Sequence, residues 1–275
     1  MTEKHDDFTM AYQDTCDQMV LLLVHGFPLD SAMWEFQLQD LADVARVIAP
    51  DLRGHGRSDS VPGPYSMKLF SDDIAGLLDY LNVSEPVVVC GLSMGGYIAL
   101  DFYRRYPERV AGLILTATRA GADSEEGKAG RDKSIAAVEA EGTEPVIAGM
   151  LPKLMAPDSY EDDELVDFVK EIMEGTSVEG MIGALQAIRD RPDSTPTLGK
   201  IAVPTLIIHG ENDQIIPIAE AEAMYRAIEE AEMVVVENAG HLPNLEQPDI
   251  FNDAVVDFLE ELMEDDLDHH NGHHH

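Results

Sequence analysis

One stretch restricts the possible folds more than any other: Val87-Val88-Val89-Cys90-Gly91-Leu92-Ser93-Met94-Gly95-Gly96. Its apolar, β-branched start reads as a strand buried on both faces. A helical pattern over 94–106 follows at once. Strand, sharp turn and helix around Gly-x-Ser-x-Gly form the setting of a nucleophile elbow. Glycine is required where the strand and helix backbones nearly touch, and the serine is left at the tip of the turn. A helix N-terminus just behind it offers backbone N–H groups to developing negative charge. Taken alone, the same glycines would only punctuate a βα turn, so the rest of the chain has to decide.

Short apolar runs recur before and after the elbow. Residues 8–16 read as a weak edge hairpin, and 19–24, 46–49, 110–116, 205–208 and 233–236 as strands. Helical patterns fall at 31–41, 66–81, 218–228 and 249–263. Alternating strands and helices predict an α/β fold with a doubly wound, mostly parallel sheet. The alternation stops between Arg119 and Pro204, where only helical patterns occur, at 124–140, 144–151, 160–174 and 176–189. Thr176 and Glu179 have the spacing of a capping box at the start of the last. Helices inserted just past strand ends predict a lid over the edge where such sheets bind ligands, the alternative being a packing insertion with no role in the site. The expected organisation is a core of residues 1–118 and 200–265, a helical cap of 119–199, and a histidine-rich tag or tail at 266–275.

A serine hydroxyl needs a base to take its proton, and the base needs an orienting carboxylate. Asp213 lies just past the strand at 205–208, and His241 just past the strand at 233–236. Both therefore fall at the same sheet edge as Ser93. Glu211 is the competing acid, two residues earlier in the turn. After 110–116, the pair Thr118-Arg119 offers no carboxylate. His25, His55 and His209 read as structural, bracing loops or a strand end. The amides of Phe27 and Met94 are the candidates for an oxyanion hole, worth about 3 kcal/mol per donor in the transition state. Phe27, Trp34, Met94 and Leu242, with Met150 and Leu154 of the inserted helices, are the candidates for an apolar pocket.

With His25-Gly26-Phe27-Pro28, the loop Asp51-Leu52-Arg53-Gly54-His55-Gly56-Arg57-Ser58, the elbow, His209-Gly210-Glu211-Asn212-Asp213 and Gly240-His241, the chain resembles the α/β-hydrolase superfamily with a helical cap. Within it the chain is most similar to 3-oxoadipate enol-lactonases and related carboxylesterases. The resemblance implies a serine hydrolase of small esters or lactones that works through an acyl-enzyme and needs no cofactor or metal. Carbon–carbon bond hydrolases and cofactor-free haloperoxidases use the same residues and stay open. A non-catalytic receptor would keep the pocket without needing the triad. An enol-lactonase substrate carries a carboxylate, for which Arg119 and Arg189 are the candidates.

The charge balance is unusual. The 275 residues hold 53 Asp and Glu against 18 Lys and Arg, a net charge of −35. Such a surface repels nucleic acid and anionic membranes. Two cysteines and an N-terminus without an apolar leader segment fit a cytoplasmic location. The acids are spread along the whole chain, as adaptation to high salt requires, whereas a docking tail for a cationic partner would cluster them. The Debye length falls from about 30 Å at 0.01 M salt to about 3 Å at 1 M, which removes most self-repulsion. The melting temperature is therefore expected to be clearly higher in about 1–2 M KCl than in dilute buffer. A curve indifferent to KCl would favour the cationic partner.

Overall fold

The computed structural model describes residues 2–5, 8–15 and 19–271. Their strands are β1 (Thr2–His5), β2 (Phe8–Asp14), β3 (Val20–Val24), β4 (Arg46–Pro50), β5 (Val87–Leu92), β6 (Val110–Thr116), β7 (Thr205–Gly210) and β8 (Ala231–Val236). They form one sheet in the order β1-β2-β4-β3-β5-β6-β7-β8. β1 and β2 run antiparallel to their neighbours, and every pairing from β4 to β8 is parallel. Every residue of β3, β5 and β7 is buried. Covered central strands of a parallel sheet need such unbroken apolar runs. β8 forms an edge and is only partly covered.

The helices are α1 (Glu35–Asp40), α2 (Met67–Tyr80), α3 (Met94–Arg105), α4 (Glu125–Glu141), α5 (Glu144–Leu154), α6 (Asp163–Glu174), α7 (Val178–Arg189), α8 (Thr195–Leu198), α9 (Ile218–Ala227), α10 (Pro243–Glu246) and α11 (Pro248–Asn271). Together they make a doubly wound, mostly parallel α/β fold. α3 starts directly from the end of β5, so it and the central strands place the residues between them at the C-terminal sheet edge.

Five helices, α4 to α8, lie between β6 and β7. Their attachment differs from the expected capping box. Ser177, not Thr176, caps α7, its hydroxyl accepting from Gly180 N–H at 2.9 Å. Such a cap contributes about 1 kcal/mol. The Thr176 hydroxyl instead donates to the Pro28 carbonyl at 2.9 Å, and Ser177 N–H donates to Gly54 O at 3.0 Å. These bonds fasten the α6–α7 junction to two loops of the sheet edge.

Other boundaries also differ from the sequence pattern. The helix expected at 31–41 is a 3-10 turn over Ser31–Trp34 followed by α1. A second 3-10 turn, Ser159–Glu161, precedes α6. The N-terminal hairpin pairs β1 with β2, and Cys16 lies outside the described residues. The closing helix continues from 263 to Asn271. No helix among the described residues is long and apolar enough to cross a membrane.

Candidate active site

Ser93 occupies the single position between β5 and α3, with φ 56° and ψ −110°. A side-chain-bearing residue at positive φ costs free energy, so the surrounding structure must enforce it. Ser93 N–H donates to Thr116 O at 2.9 Å, and its carbonyl accepts from the Thr118 hydroxyl at 2.8 Å. The neighbouring glycines are required by close approach. A Cβ at Gly91 would fall on the Gly95 carbonyl, and one at Gly95 on the Val24 carbonyl. Both obstacles are backbone and cannot swing aside. Gly95→Ala should therefore sit at the upper end of overpacking costs, about 3 kcal/mol or more. Urea unfolding would show it, and an unchanged midpoint would refute this account of the elbow.

Asp213 and His241 meet across the loops that follow β7 and β8. His241 Nδ1–H donates to Asp213 Oδ2 at 2.7 Å. The other oxygen, Oδ1, accepts from the amides of Ile215 at 2.8 Å and Ile216 at 3.0 Å. Burial alone would raise the Asp213 pKa. The His241 imidazole and the two amides outweigh it and hold the carboxyl below its usual range. Asp213 is thus a fixed anion on a fixed imidazole. Glu211, the competing acid, is exposed. His209 donates from Nε2 to Ile216 O at 2.9 Å and braces the same turn.

Ser93 and His241 line one cavity of about 60 Å³, together with Phe27, Met94, Tyr97, Met150 and others. By the roughly 10–15 Å³ each needs, it has room for a few waters. The Met94 N–H is the first of α3, where no helical acceptor exists. The Phe27 N–H makes no hydrogen bond among the described residues. Its loop is held by His25. Burial pushes the His25 pKa down to about 4. The ring is therefore neutral at pH 7, with Nδ1–H donating to Gly26 O and Nε2 accepting Leu52 N–H, both at 2.9 Å. His55 is buried as well, its Nδ1 bonded to Arg53 O at 3.0 Å. Both histidines have the bracing geometry expected of them.

The cavity wall differs in part from the apolar list. Phe27, Met94 and Met150 line it, but Trp34, Leu154 and Leu242 do not. Trp34 is fully buried with its ring 6.1 Å from that of Phe251. Leu154 and Leu242 are fully buried too. Arg119 does line the cavity, whereas Arg189 pairs with Asp132 at 2.6 Å and Asp190 at 2.7 Å. Arg131 of α4, Tyr97, Ile188, Ile215 and Ile216 complete the wall without having been singled out in the sequence. Arg119, Arg131 and Arg191 all bind the buried Asp123 carboxylate, at 2.9, 3.1 and 2.8 Å. Two of these guanidiniums, Arg119 and Arg131, stand on the cavity wall with Ser93 and share the single Asp123 carboxylate with Arg191, so the wall carries positive charge. A second hollow of about 360 Å³ shares Phe27, Arg131 and Met150, and adds Lys133 and Lys153. Among the described residues no group of three or more His, Cys, Asp or Glu is arranged to hold a metal ion.

Comparison with known proteins follows the same lines. The family model described as "Alpha/beta hydrolase family" matches residues 21–254. The chain is 29% identical over 240 residues to 3-oxoadipate enol-lactonase 2 of Acinetobacter baylyi, covering 87% of this chain and 88% of that protein. A thermophilic esterase from Thermogutta terrifontis, solved with malate bound, superimposes with a TM-score of 0.91 at 40% identity, over 93% of this chain and 94% of the other. The enol-lactonase from Burkholderia xenovorans gives 0.88 at 28% identity, over 94% and 100%. With its elbow, its sheet order and a family match over most of its length, this chain belongs to the alpha/beta hydrolase family and is a hydrolase.

Proposed function

We propose that this hydrolase cleaves small carboxylic esters or lactones through an acyl-enzyme on Ser93. The observation that carries the reading is the 2.7 Å His241–Asp213 bond at the wall of the cavity onto which Ser93 opens. Ser93 Oγ attacks the carbonyl carbon while His241 takes its proton. The tetrahedral oxyanion rests on the Phe27 and Met94 amides. Collapse breaks the bond to the leaving oxygen, which receives the proton from His241. Water, deprotonated by His241, then attacks the acyl-enzyme and releases the acid. Asp213 holds Nδ1 protonated, so that the other ring nitrogen is free to act as base, and it stabilises the imidazolium. In this reading α4 to α8 form the cap, and the small cavity selects short acyl groups.

The arginines make the substrate class more specific. Guanidinium charge at the wall favours an acyl group that carries its own carboxylate, in line with the enol-lactonase relatives. Charge-assisted hydrogen bonds are about twice as strong as neutral ones. At low ionic strength kcat/KM for 4-nitrophenyl hydrogen succinate should exceed that for the uncharged butyrate by about tenfold, roughly the effect of one such bond. The ratio should fall in Arg131→Gln. Hydrolysis of both esters at equal efficiency would retain the esterase and remove the anionic substrate. Hydrolysis of neither ester, nor of any lactone in a panel, would remove both.

A further inference from the structure

One carboxylate beside the site is not used by the chemistry above. Glu246 ends α10, five residues after His241. Its Oε1 accepts from Gly240 N–H at 2.8 Å and Leu242 N–H at 3.1 Å, the amides on either side of His241. Its Oε2 accepts from Ala156 N–H at 2.7 Å, just past the end of α5. No ion pair to Lys or Arg engages Glu246 among the described residues, so its charge is directed at these three amides. The two segments it joins are in direct contact. His241 N–H donates to Leu154 O at 3.0 Å. A Cβ on Gly240 would lie 2.5 Å from Ala156 N and 2.6 Å from the Met155 carbonyl carbon. Gln214, next to Asp213, donates its side-chain amide to Met155 O at 3.2 Å. α5 also carries Met150 of the cavity wall.

We propose that Glu246 is a positioning residue that clamps the His241 loop and locks the inserted helices to it, so that the seating of α5 sets the alignment of the base. The proposal rests on His241 acting as the base. Three N–H bonds to one anion are charge-assisted and about twice as strong as their neutral counterparts. They grip the backbone on both sides of His241, which leaves the imidazole little freedom about its bond to Asp213. If the α5 end lifts away, the carboxylate loses Ala156, and His241 N–H loses the Leu154 carbonyl in the same movement. A substrate that seats α5 therefore also seats the base.

Glu246→Gln keeps the size and leaves one carbonyl oxygen, but turns an N–H₂ towards at least one N–H donor. Small misplacement of a catalytic group costs up to about 100-fold. The variant should lose about 10- to 100-fold in kcat, with KM changed by less than about threefold. Ala156→Pro removes the inserted segment's donor and puts its ring Cδ where the N–H met Glu246 Oε2, so it breaks the link to the inserted segment and leaves the Gly240 and Leu242 N–H donors in place. It should lose at least severalfold in kcat. A purely structural role would not move the low-field proton resonance of the His241–Asp213 hydrogen bond. The proposal expects it to shift or broaden in Glu246→Gln under conditions where the variant is still folded. That resonance is read without turnover, so it tests the clamp even if the ester reading fails. A kcat within twofold of the wild type, or a resonance that stays in place in a folded variant, overturns the clamp. If Glu246→Gln does not fold, an unchanged kcat in Ala156→Pro overturns the coupling.

Discussion

Replacing Ser93 by alanine is expected to lower kcat by about 10⁴-fold or more, as loss of a triad member does elsewhere, without a comparable loss of stability. The hydroxyl accepts no capping bond from α3, so its removal orphans no donor. The residue is only partly buried, and truncating one oxygen there opens no core cavity. Alanine meets the same backbone demand at φ 56° as serine does, so the elbow keeps its shape. In the proposed mechanism the Phe27 and Met94 amides remain, and any rate that survives is assigned to them. Turnover of an activated ester within tenfold of the wild type, with melting temperature unchanged, would show that Ser93 is not the nucleophile.

The second large effect belongs to the acid. Asp213→Asn should also cost about 10⁴-fold in kcat, because an amide favours the wrong imidazole tautomer. Asp213 Oδ2 accepts the Nδ1–H of His241 at 2.7 Å. An asparagine that keeps its carbonyl on the Ile215 and Ile216 amides presents N–H₂ to that nitrogen instead. The turn is thereby preserved while the imidazole is driven to carry its proton on Nε2, where the base must be free. Glu211→Gln, on an exposed side chain, should change kcat by less than about threefold. If Glu211→Gln proves the crippling change, the wrong acid has been chosen.

The elbow was legible in the sequence because local demands coincide there. Buried strand, tight turn and helix start each leave their own mark within ten residues. Asp213 and His241 were legible from placement, each one loop beyond its own strand. The sequence did not separate Asp213 from Glu211 by chemistry; that came from which carboxylate is buried against the imidazole. The cavity wall was only partly legible because pocket lining is a tertiary property. Trp34 is as apolar as Phe27, yet it packs on Phe251 from the other end of the chain. Arg131 sits mid-helix in α4 with no motif around it, and only its shared grip on Asp123 with Arg119 and Arg191 marks it. Thr176 and Glu179 had the right spacing for a capping box. The adjacent Ser177 took the cap because Thr176 is drawn to the Pro28 carbonyl. Glu246 looked like one more acid in a chain full of them, because its three partners are backbone amides and leave no side-chain signature.

The central claim, an activated serine at the end of β5, is tested most directly by a fluorophosphonate. The reagent phosphonylates a serine only where a base and an oxyanion site act together. Mass spectrometry of the treated protein, with peptide mapping, reports stoichiometry and position in one measurement. The account predicts one phosphonyl group per chain, on Ser93, with labelling lost in Ser93→Ala and nearly lost in Asp213→Asn. A folded protein that stays unlabelled, or carries the label at another residue, would contradict it.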